Sequence, residues 1–173
     1  FCKGDRTVRH NEIRNRFFSE AVAACKNPER EKAGLLPDRP TLEGIQSQQG
    51  ARRPADIWLP RGIHSKGEAI DFACASGMRT DMWSRVCQNP NAVFERYEDY
   101  KRSFKDTGQL CEQQGFVFIP MIVESHGGAW SPAARKVLDW IACGKAAATA
   151  SPKEITSFII AQRLSIALHR ENA

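Results

Sequence analysis

Two short apolar runs in the middle of the chain each carry one acid, and the two acids could share a metal ion. Asp56 lies in the run 54–59, and Asp71 lies in the run 68–75. The pattern predicts two paired strands joined by a turn, so the two carboxylates would lie on neighbouring strands. Mg²⁺ binds one or two protein carboxylates and keeps several waters, and such a metal can activate water for phosphodiester hydrolysis. The alternative is that both acids are ordinary polar residues at strand ends, because short motifs often match by chance.

The elements around these acids predict an α/β (α+β) fold, with a small mixed central sheet flanked by helices and an extra C-terminal helix. An almost unbroken apolar run at 116–123 predicts a strand that is buried on both faces. Apolar periodicity and capping residues predict helices over 11–25, 92–114, 131–143 and 152–169. The segment 1–9 is predicted to be turn-like, and the polar segment 28–51 is predicted to be a long loop.

Composition favours a polyanionic partner inside the cell. The chain has 173 residues, with 25 Lys and Arg against 20 Asp and Glu, a net charge of +5 and a pI near 9.0. No apolar run approaches the roughly 18 residues that a membrane span needs. Six scattered cysteines without a secretory signal predict reduced thiols and a nuclear or cytoplasmic location. Because the chain starts at Phe1 rather than Met, we expect a domain cut from a longer protein.

Several short segments, in order, carry a resemblance to a known family over about residues 2–143. They are Arg9-His10-Asn11, Arg53-Pro54-Ala55-Asp56, Ala69-Ile70-Asp71-Phe72-Ala73, Tyr100-Lys101-Arg102-Ser103-Phe104, Gly115-Phe116-Val117-Phe118-Ile119-Pro120 through Glu124, and Gly127-Gly128-Ala129-Trp130. This set resembles the PD-(D/E)XK restriction-endonuclease-like superfamily. More narrowly, it is similar to the endonuclease domain at the C-terminus of some site-specific non-LTR retrotransposon polyproteins.

The resemblance implies a metal-dependent DNA endonuclease that nicks its target. Asp56 and Asp71 are then the metal carboxylates, with Mg²⁺ or Mn²⁺ as the cofactor. The superfamily expects a catalytic Lys two residues after the second acid, where this chain has Ala73. In the retroelement branch this Lys lies on the following helix, and Lys101 matches that position. Lys105, one turn further along, is the fallback.

Three further acids are candidate supports of the metal site. The superfamily often has an additional acid on the first helix, where this chain has Glu12 and Glu20. The alternative for both is a solvated helix charge, because Glu side chains are mostly exposed. Glu124 ends the buried strand and needs a partner or water there. It could support the metal site, or it could be satisfied locally by Lys101 or Trp130.

Basic residues near the acids predict contacts with DNA phosphates, which would make binding depend on salt. The candidates are Arg52, Arg53, Arg61, Lys66 and Arg102. The alternative is a mixed solvated surface, because acids are interspersed among them.

The predicted organisation is a nuclease domain over residues 1–145. Residues 146–173 would form a linker and a C-terminal helix, packed on the domain or on a missing partner region. Upstream reverse transcriptase and zinc-knuckle regions of the same polyprotein are the implied neighbours.

Two other functions stay open at this point. One is a catalytically inactive module on the same fold that binds nucleic acid through its basic face alone. The other is a structural or protein-interaction domain in which the acids are incidental, and this alternative predicts that the carboxylates of Asp56 and Asp71 diverge.

Overall fold

The structure is a computed structural model that describes residues 3–37 and 54–169. Its helices and strands alternate in the mixed order expected of an α/β fold. They are α1 Lys3–Ala23, β1 Glu29–Arg30, β2 Ile57–Leu59, β3 Glu68–Ala75, α2 Trp83–Gln88, α3 Ala92–Ser103, a 3-10 turn Phe104–Asp106, α4 Thr107–Gln113, β4 Val117–Glu124, α5 Pro132–Thr149 and α6 Lys153–His169. Within these described residues, no helix combines the length and the hydrophobicity that crossing a membrane requires.

The sheet is mixed, which confirms the predicted fold class. Its strand order is β1-β2-β3-β4, with antiparallel β1–β2 and β2–β3 pairs and a parallel β3–β4 pair. The predicted hairpin is present, and β3 has the predicted bounds because Gly67 and Ser76-Gly77 punctuate it. Strand β4 is buried from Phe118 to Val123, as its continuous apolar run indicates. The short edge strand β1 and helix α2 were not predicted.

Helices cover both faces of the sheet, and strand alternation sends neighbouring side chains to different layers. Ile70 and Phe72 of β3 pack with α1, α5 and α6 in the largest core cluster. Asp71, which lies between them in sequence, and Ala73, which follows Phe72, point to the other face, where α3 and α4 lie against β4. The acid of β3 is therefore directed towards α3, the helix that carries Lys101.

The first helix is longer than predicted, and its buried face differs. The turn expected over 1–9 is wrong, because α1 begins at Lys3. Phe17 and Ala21 are buried as predicted, whereas Val22 is 52% exposed and Cys25 is also exposed. The C-terminal end of the stripe therefore runs through Ala24, which lies on the same helical face as Phe17 and Ala21.

The single helix predicted over 92–114 is broken. Lys105 and Asp106 both have a left-handed backbone with φ of 56°, so α3 and α4 are separate helices. The break has a packing reason: α3 carries Lys101 to Asp71, while α4 buries Cys111 against Phe118. The chain must change direction between these two contacts.

The linker predicted from residue 146 is also wrong at its start. Helix α5 continues to Thr149, Ala146 is buried, and the turn falls at Ala150, which has φ of 50°. Helix α6 packs on α1 and α5, with Ile160 and Leu164 buried in the main core. The C-terminal helix is thus integral to the helical layer on that face of the sheet.

Candidate active site

The two predicted acids meet where β2 joins β3. Asp56 precedes β2, and its N–H donates to the carbonyl of Ile70 at 2.9 Å, although Ile70 is the register partner of Ile57. Asp56 and Ile57 thus both lie opposite Ile70, as in a β-bulge. Such a bulge changes the direction of the Asp56 side chain. Its Oδ2 then accepts the N–H of Phe72 at 2.7 Å, immediately after Asp71. The two acids therefore lie side by side across the strand pair.

Lys101 reaches the same point from the last turn of α3. Its Nζ lies 2.6 Å from Oδ2 of Asp71, and the two side chains are 24% and 19% exposed. Ala73 lies two residues after Asp71 on the same face of β3, where its small side chain leaves space for an incoming lysine. The structure thus brings the three catalytic candidates together from three separate elements.

His10 is a fourth member of this cluster. From α1, its Nε2 lies 3.0 Å from Oδ1 of Asp56 and its side chain is 29% exposed. The segment Arg9-His10-Asn11 was part of the family resemblance, but His10 received no role. The local sequence around His10 does not indicate its contact with Asp56, because 46 residues separate the two.

Burial and charge set different protonation states for the two acids. Burial and the adjacent Asp56 carboxylate outweigh Lys101 and raise the pKa of Asp71 to about 6. Burial also acts on Asp56, but the hydrogen bonds from His10 and Phe72 prevail, and its pKa is lowered. The hydrogen bond to Asp56 raises the pKa of His10. Asp71 therefore keeps its proton to higher pH than Asp56.

A cleft of about 980 Å³ opens beside the acids at the carboxyl ends of β3 and β4. Cations line it, including His10, Arg79 and Lys101, together with Tyr97. Among the described residues that line it, none is an Asp or Glu. A polyanion could therefore approach the acid pair past a wall of cationic and hydroxyl groups.

The donor chemistry of the acid pair fits a divalent cation. Both groups are carboxylates, which suit Mg²⁺ and Mn²⁺. Burial and, to a smaller extent, the adjacent Asp56 carboxylate raise the pKa of Asp71, and a cation between the two acids would stabilise their ionised forms. Over residues 3–37 and 54–169, no three His, Cys, Asp or Glu side chains form a metal-binding group. A metal here would therefore rely on two protein carboxylates, with water completing its shell.

The other candidate acids take part in different contacts. Glu20, expected to be exposed, is buried at 4% exposure and binds Lys145 of α5 and Arg163 of α6. Glu12 is half-buried on α1. Glu124 uses Oε2 to accept the N–H groups of His126 and Gly127 at 2.9 Å and 2.5 Å. Local backbone donors therefore satisfy Glu124, and it closes the turn after β4.

The basic candidates do not gather around the acids. Lys105 lies in the break after α3, with Nζ 4.8 Å from the Phe104 ring centre. Arg102 donates to the carbonyl of Phe118 at 3.1 Å. Arg61 and Lys66 are exposed in the β2–β3 turn, which extends from the end of β3 opposite the cleft. The remaining two candidates, Arg52 and Arg53, lie outside the described residues.

Comparison with known proteins adds no relative to this picture. No protein-family model matches the chain. No curated protein matches its sequence significantly. The features of the molecule that bear on its function are the acid pair, its neighbours His10 and Lys101, and the cleft.

Proposed function

We propose that this chain is a Mg²⁺- or Mn²⁺-dependent DNA endonuclease domain of the PD-(D/E)XK type, within a retroelement-like polyprotein. The observation that carries the proposal is the convergence of Asp56, Asp71 and Lys101 beside an open cleft. Asp56 lies just before β2 and Asp71 lies in β3 of the same hairpin, whereas Lys101 comes from α3, further along the chain. An incidental pair of strand acids has no reason to face a lysine from a third element.

Each residue has a distinct role in this proposal. Asp56 and Asp71 would hold the metal, which when bound polarises a phosphoryl oxygen and lowers the pKa of attacking water. Lys101 carries a fixed positive charge beside Asp71 and stabilises the charge that develops on the scissile phosphate. His10 is a positioning residue, because its bond to Oδ1 fixes the Asp56 carboxylate together with the Phe72 N–H.

Lys101 replaces the lysine that the superfamily carries at the position of Ala73. Asp71 and Ala73 share one face of β3, and α3 crosses that face. A lysine from α3 can therefore occupy the space that a lysine at 73 would fill. This supports an intact set of catalytic groups despite the departure from the superfamily motif.

One observation also favours a second candidate, a nucleic-acid-binding module without cleavage. The basic side chains that line the cleft, among them Arg79 and Lys101, can attract phosphates without a metal. This candidate predicts DNA binding that persists in EDTA and is weakened by salt, with no strand cleavage in Mg²⁺ or Mn²⁺.

Nicking of supercoiled plasmid DNA separates the two functions. The purified wild-type protein should convert plasmid to open circles in Mg²⁺ or Mn²⁺ and should not do so in EDTA. Asp71→Ala should reduce the rate about a thousandfold, because metal catalysis contributes several kcal/mol. Asp99→Ala, an exposed acid on α3, is the matched control and should retain activity. Equal nicking by Asp71→Ala would refute the assignment.

A further inference from the structure

The cleft has a second wall, formed by the loops that follow the parallel strands β3 and β4. Ser76 follows β3, and Ser125 and His126 follow β4. The N–H of Ser125 donates to the carbonyl of Ala75 at 2.8 Å, which joins the two loops. In α/β sheets, ligands bind outside the carboxyl ends of parallel strands. This wall occupies that location.

The polar groups of this wall are fixed in place. Ser76 Oγ and His126 Nε2 lie 3.2 Å apart, and Ser76 Oγ accepts the N–H of Met78 at 3.3 Å. Glu124 holds the backbone of His126 and Gly127 through its Oε2. The hydroxyl and the imidazole are therefore presented together to the cleft without a carboxylate between them.

We propose that Ser76 and His126 bind a phosphate of a single nucleic-acid strand, one that lies in the cleft with a neighbouring phosphodiester at the acid pair. The inference rests on the proposed function, and it specifies the form of the substrate. The bond between Ser76 and His126 uses one donor, and a remaining O–H or ring N–H of the pair can donate to a phosphate oxygen. Tyr97, half-buried on the cleft wall, can stack a base between the two phosphates.

The size of the cleft favours one strand. A volume of about 980 Å³ lies at the upper end of the range for small-ligand pockets and suits a few nucleotides. A duplex could present only its outer backbone to such a cleft. Single strands, in contrast, expose base faces for stacking and follow a cationic groove.

Fluorescence anisotropy in EDTA tests this inference apart from cleavage. Labelled single-stranded dT12 should bind wild-type protein at least fivefold more tightly than a duplex of equal length. The double variant Ser76→Ala/His126→Ala should bind dT12 about tenfold more weakly, because hydrogen bonds to charged groups are among the stronger ones. The exposed pair Ser84→Ala/Lys136→Ala, on α2 and α5, should change binding less than twofold. His126→Gln, which keeps a side-chain donor, should recover part of the loss.

The outcomes separate this inference from the nuclease proposal. Equal binding of dT12 by the Ser76→Ala/His126→Ala variant and its control would overturn the phosphate site. Equal or tighter binding of the duplex by wild type would overturn the single-strand assignment. Absence of plasmid nicking by wild type would contradict only the nuclease proposal, because the anisotropy measurements require no cleavage. Circular dichroism of each variant verifies that lost binding is not lost folding.

Discussion

Glu20 and Asp71 are both buried acids that contact a lysine, yet their surroundings differ in charge and in access. Glu20, with a side chain 5% exposed, lies between α1, α5 and α6 and contacts two cations, Lys145 and Arg163. Burial raises its pKa, but the hydrogen bonds from these cations prevail and the net pKa is lowered. Asp71 contacts one cation, has a second acid beside it, and has its pKa raised to about 6.

The difference indicates which of the two clusters is structural. A carboxylate matched by two cations, within a packed helical layer, contributes to the packing of three helices. Two adjacent acids next to a cleft, one of them with a raised pKa, are typical of a site that binds a ligand. The Glu20 cluster therefore resembles a structural ion-pair network, whereas the Asp71 cluster has the paired carboxylates that the proposed cation would bind.

Replacing Lys101, the lysine beside the acid pair, should strongly reduce activity. Lys101→Ala should slow plasmid nicking by about a hundredfold to a thousandfold, because it removes a preorganised charge from the reacting phosphate. Lys105→Ala is the matched control, since it removes the same side chain from the break that follows α3. That variant should nick at nearly the wild-type rate. A greater loss of activity with Lys105→Ala than with Lys101→Ala would contradict the assignment of the catalytic role to Lys101.

Replacing Glu20 should lower the stability of the fold, whereas replacing Asp71 should raise it. Glu20→Ala should lower the free energy of unfolding by about 3 kcal/mol, because it leaves Lys145 without its buried partner. Asp71→Asn should raise it by about 1 kcal/mol at pH 7.5, because it removes a charge that burial and the adjacent Asp56 disfavour. Urea denaturation measures both, with Glu12→Ala on the same helix as a control near wild type. Destabilisation by both variants would contradict the contrast between the clusters.

The contributions of Glu20 and Asp71 to the free energy of unfolding should depend on pH in opposite directions. The pKa of Glu20 is below its ordinary 4.5, so its contribution is present above pH 4.5 and is lost as pH falls through the lowered value. The pKa of Asp71 is above its ordinary 3.8, so its contribution is present below pH 3.8 and is lost as pH rises through about 6. Unfolding free energies of wild type, Glu20→Gln and Asp71→Asn between pH 3.5 and 7.5 test this. Parallel curves for all three proteins would contradict it.

Local sequence pattern was enough to predict most of the sheet. Strand β3 was predicted with its observed bounds because turn residues flank a β-prone run. The break at Lys105 was not predictable, because lysine does not favour a left-handed backbone and the preference of aspartate for it is weak. There the chain adopts the conformation that lets α3 and α4 each reach the sheet, so tertiary packing overrides helix propensity.

The site was predictable only in part, for a related reason. Asp56 and Asp71 were found because paired strands bring residues of a hairpin together. Lys101 was found through the family resemblance. The role of His10 and the burial of Glu20 depend on partners 46, 125 and 143 residues away. Hydrophobic periodicity does not specify such contacts, because they follow from how helices pack across the sheet.

Binding of Mn²⁺ tests the central claim, that Asp56 and Asp71 together hold a divalent cation. Titration of the wild-type protein, followed by electron paramagnetic resonance of the free ion, should show one bound Mn²⁺ per chain. Asp71→Asn should weaken this binding at least tenfold, whereas Glu20→Gln should leave it unchanged although it alters an even more buried acid. Undetectable Mn²⁺ binding by wild type, or equal binding by Asp71→Asn, would contradict the account.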